Sequence, residues 1–198
     1  MKPKISIQNR SLIEKSKGFI VGASEDGVLY YSHKKSAYIL EIEQNNKEWL
    51  ETVKKAFLIA YNKNCKIDKK KSGYSRLSCY SKKVYNDLIE ARKNFSMVLK
   101  ESKHYKIGFL QGVFDAEGSV HNKRLCIRIY SKNKELISTI QKLLEELNLT
   151  TGKIHVDKRT NVLMLPLYGR QKLKKFHDSI NFNHVHKEYR LKKLLQES

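Results

Sequence analysis

At 198 residues, with 40% apolar and 30% charged side chains, the chain has the composition of a folded protein of one domain or two small ones, and disorder is excluded as the default. Forty Lys and Arg against twenty Asp and Glu leave a net charge of +20, which attracts polyanions and points first to nucleic acid. No stretch approaches the roughly 20 apolar residues of a membrane span and Met1 to Arg10 lack a signal-peptide core, so a soluble intracellular protein with no membrane partner is expected.

Along the chain, the first patterned segment is Phe19-Ile-Val-Gly-Ala-Ser-Glu-Asp-Gly27, preceded by Gly18. A short segment, Val28 to Ser32, and an alternating run, Tyr38 to Glu43, predict a β-hairpin with one apolar face. From Lys47 to Tyr61, Trp49, Leu50, Val53, Ala56, Phe57 and Ala60 fall on one face of an amphipathic helix. Two more strands are expected at Cys65 to Lys69 and Tyr74 to Tyr80, around the turn-prone Lys70 to Gly73, and then a helix near Lys83 to Arg92.

The pattern then repeats. Adding 87 to the six apolar helix positions gives Leu136, Ile137, Ile140, Leu143, Leu144 and Leu147, apolar at every one. The same shift carries Lys47-Glu48 onto Lys134-Glu135, Lys66-Ile67 onto Lys153-Ile154, and Val98, Lys100 and Glu101 onto Val185, Lys187 and Glu188. Chance likeness between two amphipathic helices does not produce flanking matches in register. In the second half the expected strands are Ser119 to Asn122, Leu125 to Tyr130, Lys153 to Lys158 and Val162 to Tyr168, with a helix near Gln171 to Ile180. The chain therefore reads as an α+β fold of two pseudo-symmetric αββαββα halves, residues 1–98 and 99–198, in one compact unit. Antiparallel sheets of this kind bury the apolar face under helices and leave the other open.

The helix opening the second half, Lys106 to Gly118, has Ser102 placed to cap it and small residues at Gly108, Gly112 and Ala116. Glycine costs about 1 kcal/mol relative to alanine inside a helix, so this stripe calls for close packing against another helix. Asp115 and Glu117 stand at the C-terminal end, where the helix dipole disfavours acids. Carboxylates in that position imply a cation nearby, and hard oxygen donors suit Mg²⁺.

Leu110-Gln-Gly-Val-Phe-Asp-Ala-Glu-Gly118 resembles the nine-residue signature of the LAGLIDADG homing endonucleases, with seven positions identical or conservatively changed and exceptions at Gln111 and Phe114. Resemblance to the two-repeat members runs from about Ser11 to Leu195. It implies a monomer with its motif helices at a pseudo-twofold axis, sheets forming a DNA-binding saddle, and hydrolysis of both strands of a long duplex with Mg²⁺ or Mn²⁺. By the same resemblance, Asp26 and Glu117 bind metal beside the closing glycines Gly27 and Gly118. Lys100 and Lys187 are basic residues near the reaction centre, and Gln44 is the polar residue ending the second strand. The first motif departs from the pattern: Gly18 and Gly22 echo Gly108 and Gly112 at an offset of 90, whereas Asp26 and Glu117 differ by 91. At about 100° per residue, an unaltered helix would turn Asp26 away from Glu117. Either the last turn is altered, Glu25 substitutes, or this half is catalytically weak; a working Asp26 is the preferred reading.

Strand alternation places Lys66, Asp68, Arg76 and Ser78 on the open face of the first half, with Tyr30 and Ser32 beside them. In the second half it places Arg128, Tyr130, Lys153 and His155, with His121 and Lys123 in the hairpin. Lys34, Lys35, Lys70, Lys158 and Arg159 extend the grip at loop tips. Such groups hold phosphates and read base edges. Glu41 and Glu43 share the first face and weaken it. His184 and His186 read as exposed or DNA-facing. Cys65, Cys79 and Cys126 lack any C-x-x-C spacing and read as reduced core or strand residues. Double-stranded DNA is the expected partner; the alternative is a catalytically impaired DNA-binding protein, or a maturase with intron RNA as its partner.

Overall fold

The computed structural model describes residues 7–121 and 124–196. Helix α1 (Ile7–Ala23) leads through a 3₁₀ turn (Ser24–Asp26) into strands β1 (Gly27–Ser32) and β2 (Ala37–Gln44). Helix α2 (Lys47–Tyr61), strands β3 (Lys66–Lys69) and β4 (Ser75–Tyr80) and helix α3 (Lys82–Lys93) follow. A 3₁₀ segment (Phe95–Lys100) then precedes α4 (Lys103–Glu117), β5 (Gly118–Val120), β6 (Cys126–Ser131), α5 (Lys134–Glu146), β7 (His155–Val156), β8 (Leu163–Tyr168), α6 (Arg170–Ser179) and α7 (Val185–Gln196). The two four-stranded antiparallel sheets run β1-β2-β4-β3 and β5-β6-β8-β7, the same order twice.

Local chemistry sets the boundaries. Asn46 and Asn133, themselves 87 residues apart, cap α2 and α5 by accepting from the N–H groups of Trp49 and Leu136. Ser102 caps α4 through the N–H of Tyr105, starting that helix one turn before Lys106. The apolar faces of the sheets and of α2 and α5 meet in a continuous core that crosses from one half to the other, in which Trp49, Phe57, Phe109 and Phe176 are fully buried.

The centre of the molecule is the contact between α1 and α4. A Cβ added at Gly18 would lie 2.0 Å from the carbonyl oxygen of Tyr105, and one at Gly108 would lie 2.0 Å from that of Lys15. Gly22 and Gly112 repeat the relation one turn on, at 2.3 Å from the Phe109 carbonyl and 2.2 Å from that of Phe19. The helices therefore touch backbone to backbone, about a pseudo-twofold axis and in parallel. Both C-terminal ends emerge on the same side.

Two elements differ from their sequence pattern. The strand expected at Lys153 to Lys158 is reduced to His155–Val156. It is an edge strand whose Ile154 and Val156 find no cover, at 37% and 55% exposed, and the Asp157 side chain accepts from the N–H groups of Arg159 and Thr160, which turns the chain out of the sheet. The segment expected at Ser119 to Asn122 is a strand over Gly118–Val120, and Asn122 and Lys123 lie outside the described residues.

Gly112→Ala tests the seam. Helix propensity alone favours alanine, yet the clash with Phe19 and Ala23 backbone atoms predicts a loss of about 3 kcal/mol or more in denaturant unfolding. Unchanged stability would refute backbone-to-backbone packing.

Candidate active site and nucleic-acid interface

The missing residue of the first motif is made up at the end of α1. The helix stops at Ala23, and Ser24, Glu25 and Asp26 form a 3₁₀ turn. Such a turn rises about 2.0 Å and rotates about 120° per residue, against about 1.5 Å and 100° in an α-helix. Three residues so wound recover the whole axial deficit of one residue and more than half of its rotation. Of the three alternatives left by the sequence, the altered last turn is the one observed. Asp26 and Glu117 are close enough for the Asp26 charge to push the Glu117 carboxyl up, after burial, which is the larger cause. Burial also raises Asp26, opposed by a hydrogen bond donated by the Gln44 amide and by the charge of Lys187.

Each helix end is met by a cation, placed by a different element. Lys187, in the first turn of α7, donates to the Phe114, Asp115 and Ala116 carbonyls, the first and last at 3.3 Å. Arg92, at the end of α3, donates to the Ser24 and Gly27 carbonyls and pairs with Glu25 at 3.2 Å. These contacts satisfy carbonyls that a helix C-terminus leaves open and oppose its negative dipole end. Burial lowers the Lys187 ammonium, while Asp115, Asp26 and Glu117 hold it up.

Lys187 is delivered by a buried carboxylate. Asp115, 1% exposed, accepts from the indole N–H of Trp49 at 3.1 Å and from the backbone N–H groups of Asn183 at 3.0 Å and His184 at 3.1 Å. It thereby ties α2 of the first half to the chain entering α7. Burial is the main cause that pushes this carboxyl up to about 7. By sequence Asp115 and Glu117 are alike, acids facing a cation; in the structure Asp115 instead points inward to N–H donors.

Two expectations need correction. Lys100 is exposed at the end of the 3₁₀ segment before α4, and the length of that 15-residue helix, about 21 Å at 1.5 Å per residue, separates it from Glu117. The cation at the first helix end is Arg92, for which the repeat gives no signal, because a shift of 87 lands on Ser179. His184 is buried against the Trp49 ring rather than exposed, and burial drives its imidazole down to about 4. Gly27 and Gly118 open β1 and β5, and the Gly27 carbonyl is taken by Arg92 at 3.0 Å.

The two open sheet faces differ in charge. In the first half, Arg76 pairs with Glu41 at 3.4 Å, Lys66 with Asp68 at 2.9 Å, and Lys70 with Glu43. Ser78 donates weakly to Glu41, Ser32 caps the turn holding Lys34 and Lys35, and Lys35 donates to the Tyr80 hydroxyl at 2.9 Å. Tyr30 lies beside Glu41, which raises its phenol after burial. In the second half, Arg128 donates to the Tyr130 hydroxyl and faces Pro166, and His155 lies opposite Met164. No acid pairs with them among the described residues. Lys153, Lys158 and Arg159 are exposed at the ends of the β7 turn, and His121 follows β5, half-buried. Lys123 lies outside the described residues.

Two αββαββα repeats, joined in one chain at a seam of parallel glycine-bearing helices, define the class of fold. A family model for the LAGLIDADG-like domain matches residues 104–181, and one for the WhiA LAGLIDADG-like domain matches residues 26–86. The DNA-directed RNA polymerase subunit Rpo1C of Methanocaldococcus jannaschii is 35% identical over 104 residues, which are 52% of this chain and 12% of that subunit. The structure of I-DmoI in complex with DNA and Mn matches with a TM-score of 0.69 and 25% identity, over 85% of this chain and 97% of that one. Full-length DUF199/WhiA from Thermatoga maritima matches at 0.64 and 16%, over 98% and 63%. Each half of the chain therefore resembles a LAGLIDADG-like domain, and the fold is that of two such repeats in one chain. Among the described residues, no helix is long and apolar enough to cross a membrane.

The raised Asp115 carboxyl gives a signed prediction. Between about pH 4 and 7 the folded chain holds a proton there that the unfolded chain has released, so stability falls as pH rises through that window. Asp115→Asn does not titrate. The stability of the native chain relative to this variant should therefore drop by on the order of 2–4 kcal/mol from pH 4 to pH 7 in parallel urea titrations. A difference that stays flat would mean that Asp115 ionises as an ordinary acid.

Proposed function

We propose that this protein is a site-specific DNA endonuclease that hydrolyses both strands of a duplex laid across its two sheets, in the manner of a homing endonuclease. The observation that carries the reading is the convergence of Asp26 and Glu117 at one end of the paired helices, close enough to repel each other, on a chain of net charge +20. Likeness to an endonuclease crystallised with DNA and Mn supports it.

The residues present fit a divalent metal. Asp26 and Glu117 offer hard oxygen donors, and no group of three or more His, Cys, Asp or Glu suited to a metal stands among the described residues. That number suits Mg²⁺ or Mn²⁺ held by one or two carboxylates, with the scissile phosphates and water completing the shell. When bound, such an ion lowers the pKa of a coordinated water and offsets charge on the leaving oxygen. Asp26 and Glu117 would hold it, one carboxylate from each half, with Gly27 and Gly118 setting where each strand departs. Gln44 orients Asp26 through its amide. Lys187, which donates to the α4 carbonyls beside Glu117, would offset negative charge building on a phosphate in line with the attacking water. Lys100 has no part in this reading.

Arg128, Tyr130 and His155 would carry contacts in the second half, and Arg76, Ser78 and Lys66 in the first, with Tyr30, Ser32, Lys34, Lys35 and Lys70 along its edge. Lys153, Lys158 and Arg159 would hold the phosphate backbone. A second reading, DNA binding without scission, draws on the altered end of the first motif, where Asp26 sits on a 3₁₀ turn rather than on the helix.

The test uses a pool of supercoiled plasmids carrying randomised inserts, incubated with the full chain and Mg²⁺ and sequenced at the ends of linear products. Defined ends are expected, and Glu117→Gln should slow their appearance by about 10²-fold or more while binding to the recovered site holds within several-fold. Binding should also weaken steeply as salt rises, since neutralised phosphates release counterions. Recovered binding with no Mg²⁺-dependent ends would establish the non-cleaving reading, and equal cleavage by both proteins would remove Glu117 from the chemistry.

A further inference from the structure

Two of the three buried cysteines face each other. Lys66 pairs with Ser78 across β3 and β4, so the next residues along, Cys65 and Cys79, stand opposite. Lys70 donates to the Tyr74 carbonyl at 2.8 Å, and hydrogen-bonded and non-hydrogen-bonded pairs alternate along an antiparallel ladder. Counting back from Lys70 and Tyr74 makes Cys65 and Cys79 a non-hydrogen-bonded pair, the kind in which side chains approach most closely. In such pairs the Cα atoms stand about 4.5 Å apart, within the roughly 4.4–6.8 Å that a disulfide spans. Both thiols are free, 3% and 2% exposed, and hydrogen-bonded to each other. Cys126, in the other sheet, faces Tyr168 and has no such partner.

We propose that Cys65 and Cys79 are a dithiol modification site, which a low-molecular-weight disulfide converts to an intrachain disulfide stapling β3 to β4. The inference is independent of the nuclease reading. The two thiols are not equivalent: the hydrogen bond from Cys65, helped by the charge of Lys63, holds Cys79 down, whereas the same bond and burial push Cys65 up. With Cys79 as the first sulfur to attack, the exchange runs in two steps, and the reverse order gives the same disulfide. The Cys79 thiolate takes one sulfur of the small disulfide and releases the other half as a thiolate. The Cys65 thiol then gives up its proton to a released thiolate and attacks Cys79, expelling the second half. One small disulfide is reduced to two thiols, and two protein thiols are oxidised to one disulfide. Access comes from the edge: β3 is the outermost strand of its sheet, four residues long, and Cys65 lies just beyond its end. Such edges open locally without global unfolding. The closed ring carries the basic tip Lys69–Lys71, so oxidation fixes the outer edge of the first saddle face.

The experiment exposes the purified full chain, under native conditions, to excess glutathione disulfide, then alkylates free thiols and maps peptides without reduction. The expected result is alkylation of Cys126 alone, a cross-link joining the Cys65 and Cys79 peptides, and a melting temperature several degrees above that of the reduced chain. Cys65→Ser should block the cross-link and leave at most a glutathione adduct on Cys79. Alkylation of all three cysteines, a stable adduct on Cys79 in the native sequence, or cross-linking only after addition of denaturant would each overturn the proposal.

Discussion

Four glycines let α1 and α4 meet along their backbones, and the rest of the molecule is arranged around that contact. Gly18, Gly22, Gly108 and Gly112 each stand where a methyl group would fall about 2.0–2.3 Å from a carbonyl oxygen of the opposite helix. Because the helices run parallel, the contact gathers two negative dipole ends and the acids Glu25, Asp26 and Glu117 at one place. That is an unfavourable concentration of like charge, and burial makes it more so. Lys187 and Arg92 offset it, each inserted among carbonyls of a helix terminus. The charge balance at the seam is therefore part of the fold as much as of any chemistry done there.

The halves solve the same problem with different parts. In the second, a lysine arrives on α7, guided by a carboxylate whose donors come from both halves. In the first, an arginine reaches up from α3 and takes Glu25 as its partner, leaving Asp26 to the amide of Gln44. The position matching Gln44 in the second half is Ser131, whose hydroxyl accepts from the Asn133 N–H instead. Pseudo-symmetry holds for the backbone and lapses in the polar side chains around it.

That division accounts for what the sequence disclosed. Helices, strands and sheet pattern were legible because apolar periodicity and caps such as Asn46 and Asn133 recur at a fixed offset of 87. The glycine seam was legible because glycine has no other reason to recur within a helix. The polar partners were not, since a hydrogen bond such as that from Trp49 to Asp115 joins residues 66 apart with no periodic signature. Arg92 was hidden for the same reason, and Lys100 misled because its match to Lys187 is one of sequence while the two chains of contacts differ. The one-residue offset of the first motif signalled an altered turn without specifying which, because a 3₁₀ turn leaves no mark in residue type.

The sheets carry the asymmetry outward. Arg76, Lys66 and Lys70 are already paired with Glu41, Asp68 and Glu43, so a phosphate must displace a carboxylate to reach them, and what is gained with the phosphate is lost with the acid. Surface ion pairs contribute only about 0–1 kcal/mol, so those of Lys66 and Lys70 can be exchanged, but together the pairs reduce the long-range attraction of the first face. Arg128 has a tyrosine rather than an acid beside it and keeps its full charge for an incoming anion. On the proposed reading, a polyanion would accordingly be drawn first to the second face and held there by charge, while the first face would offer it donors and acceptors in alternation.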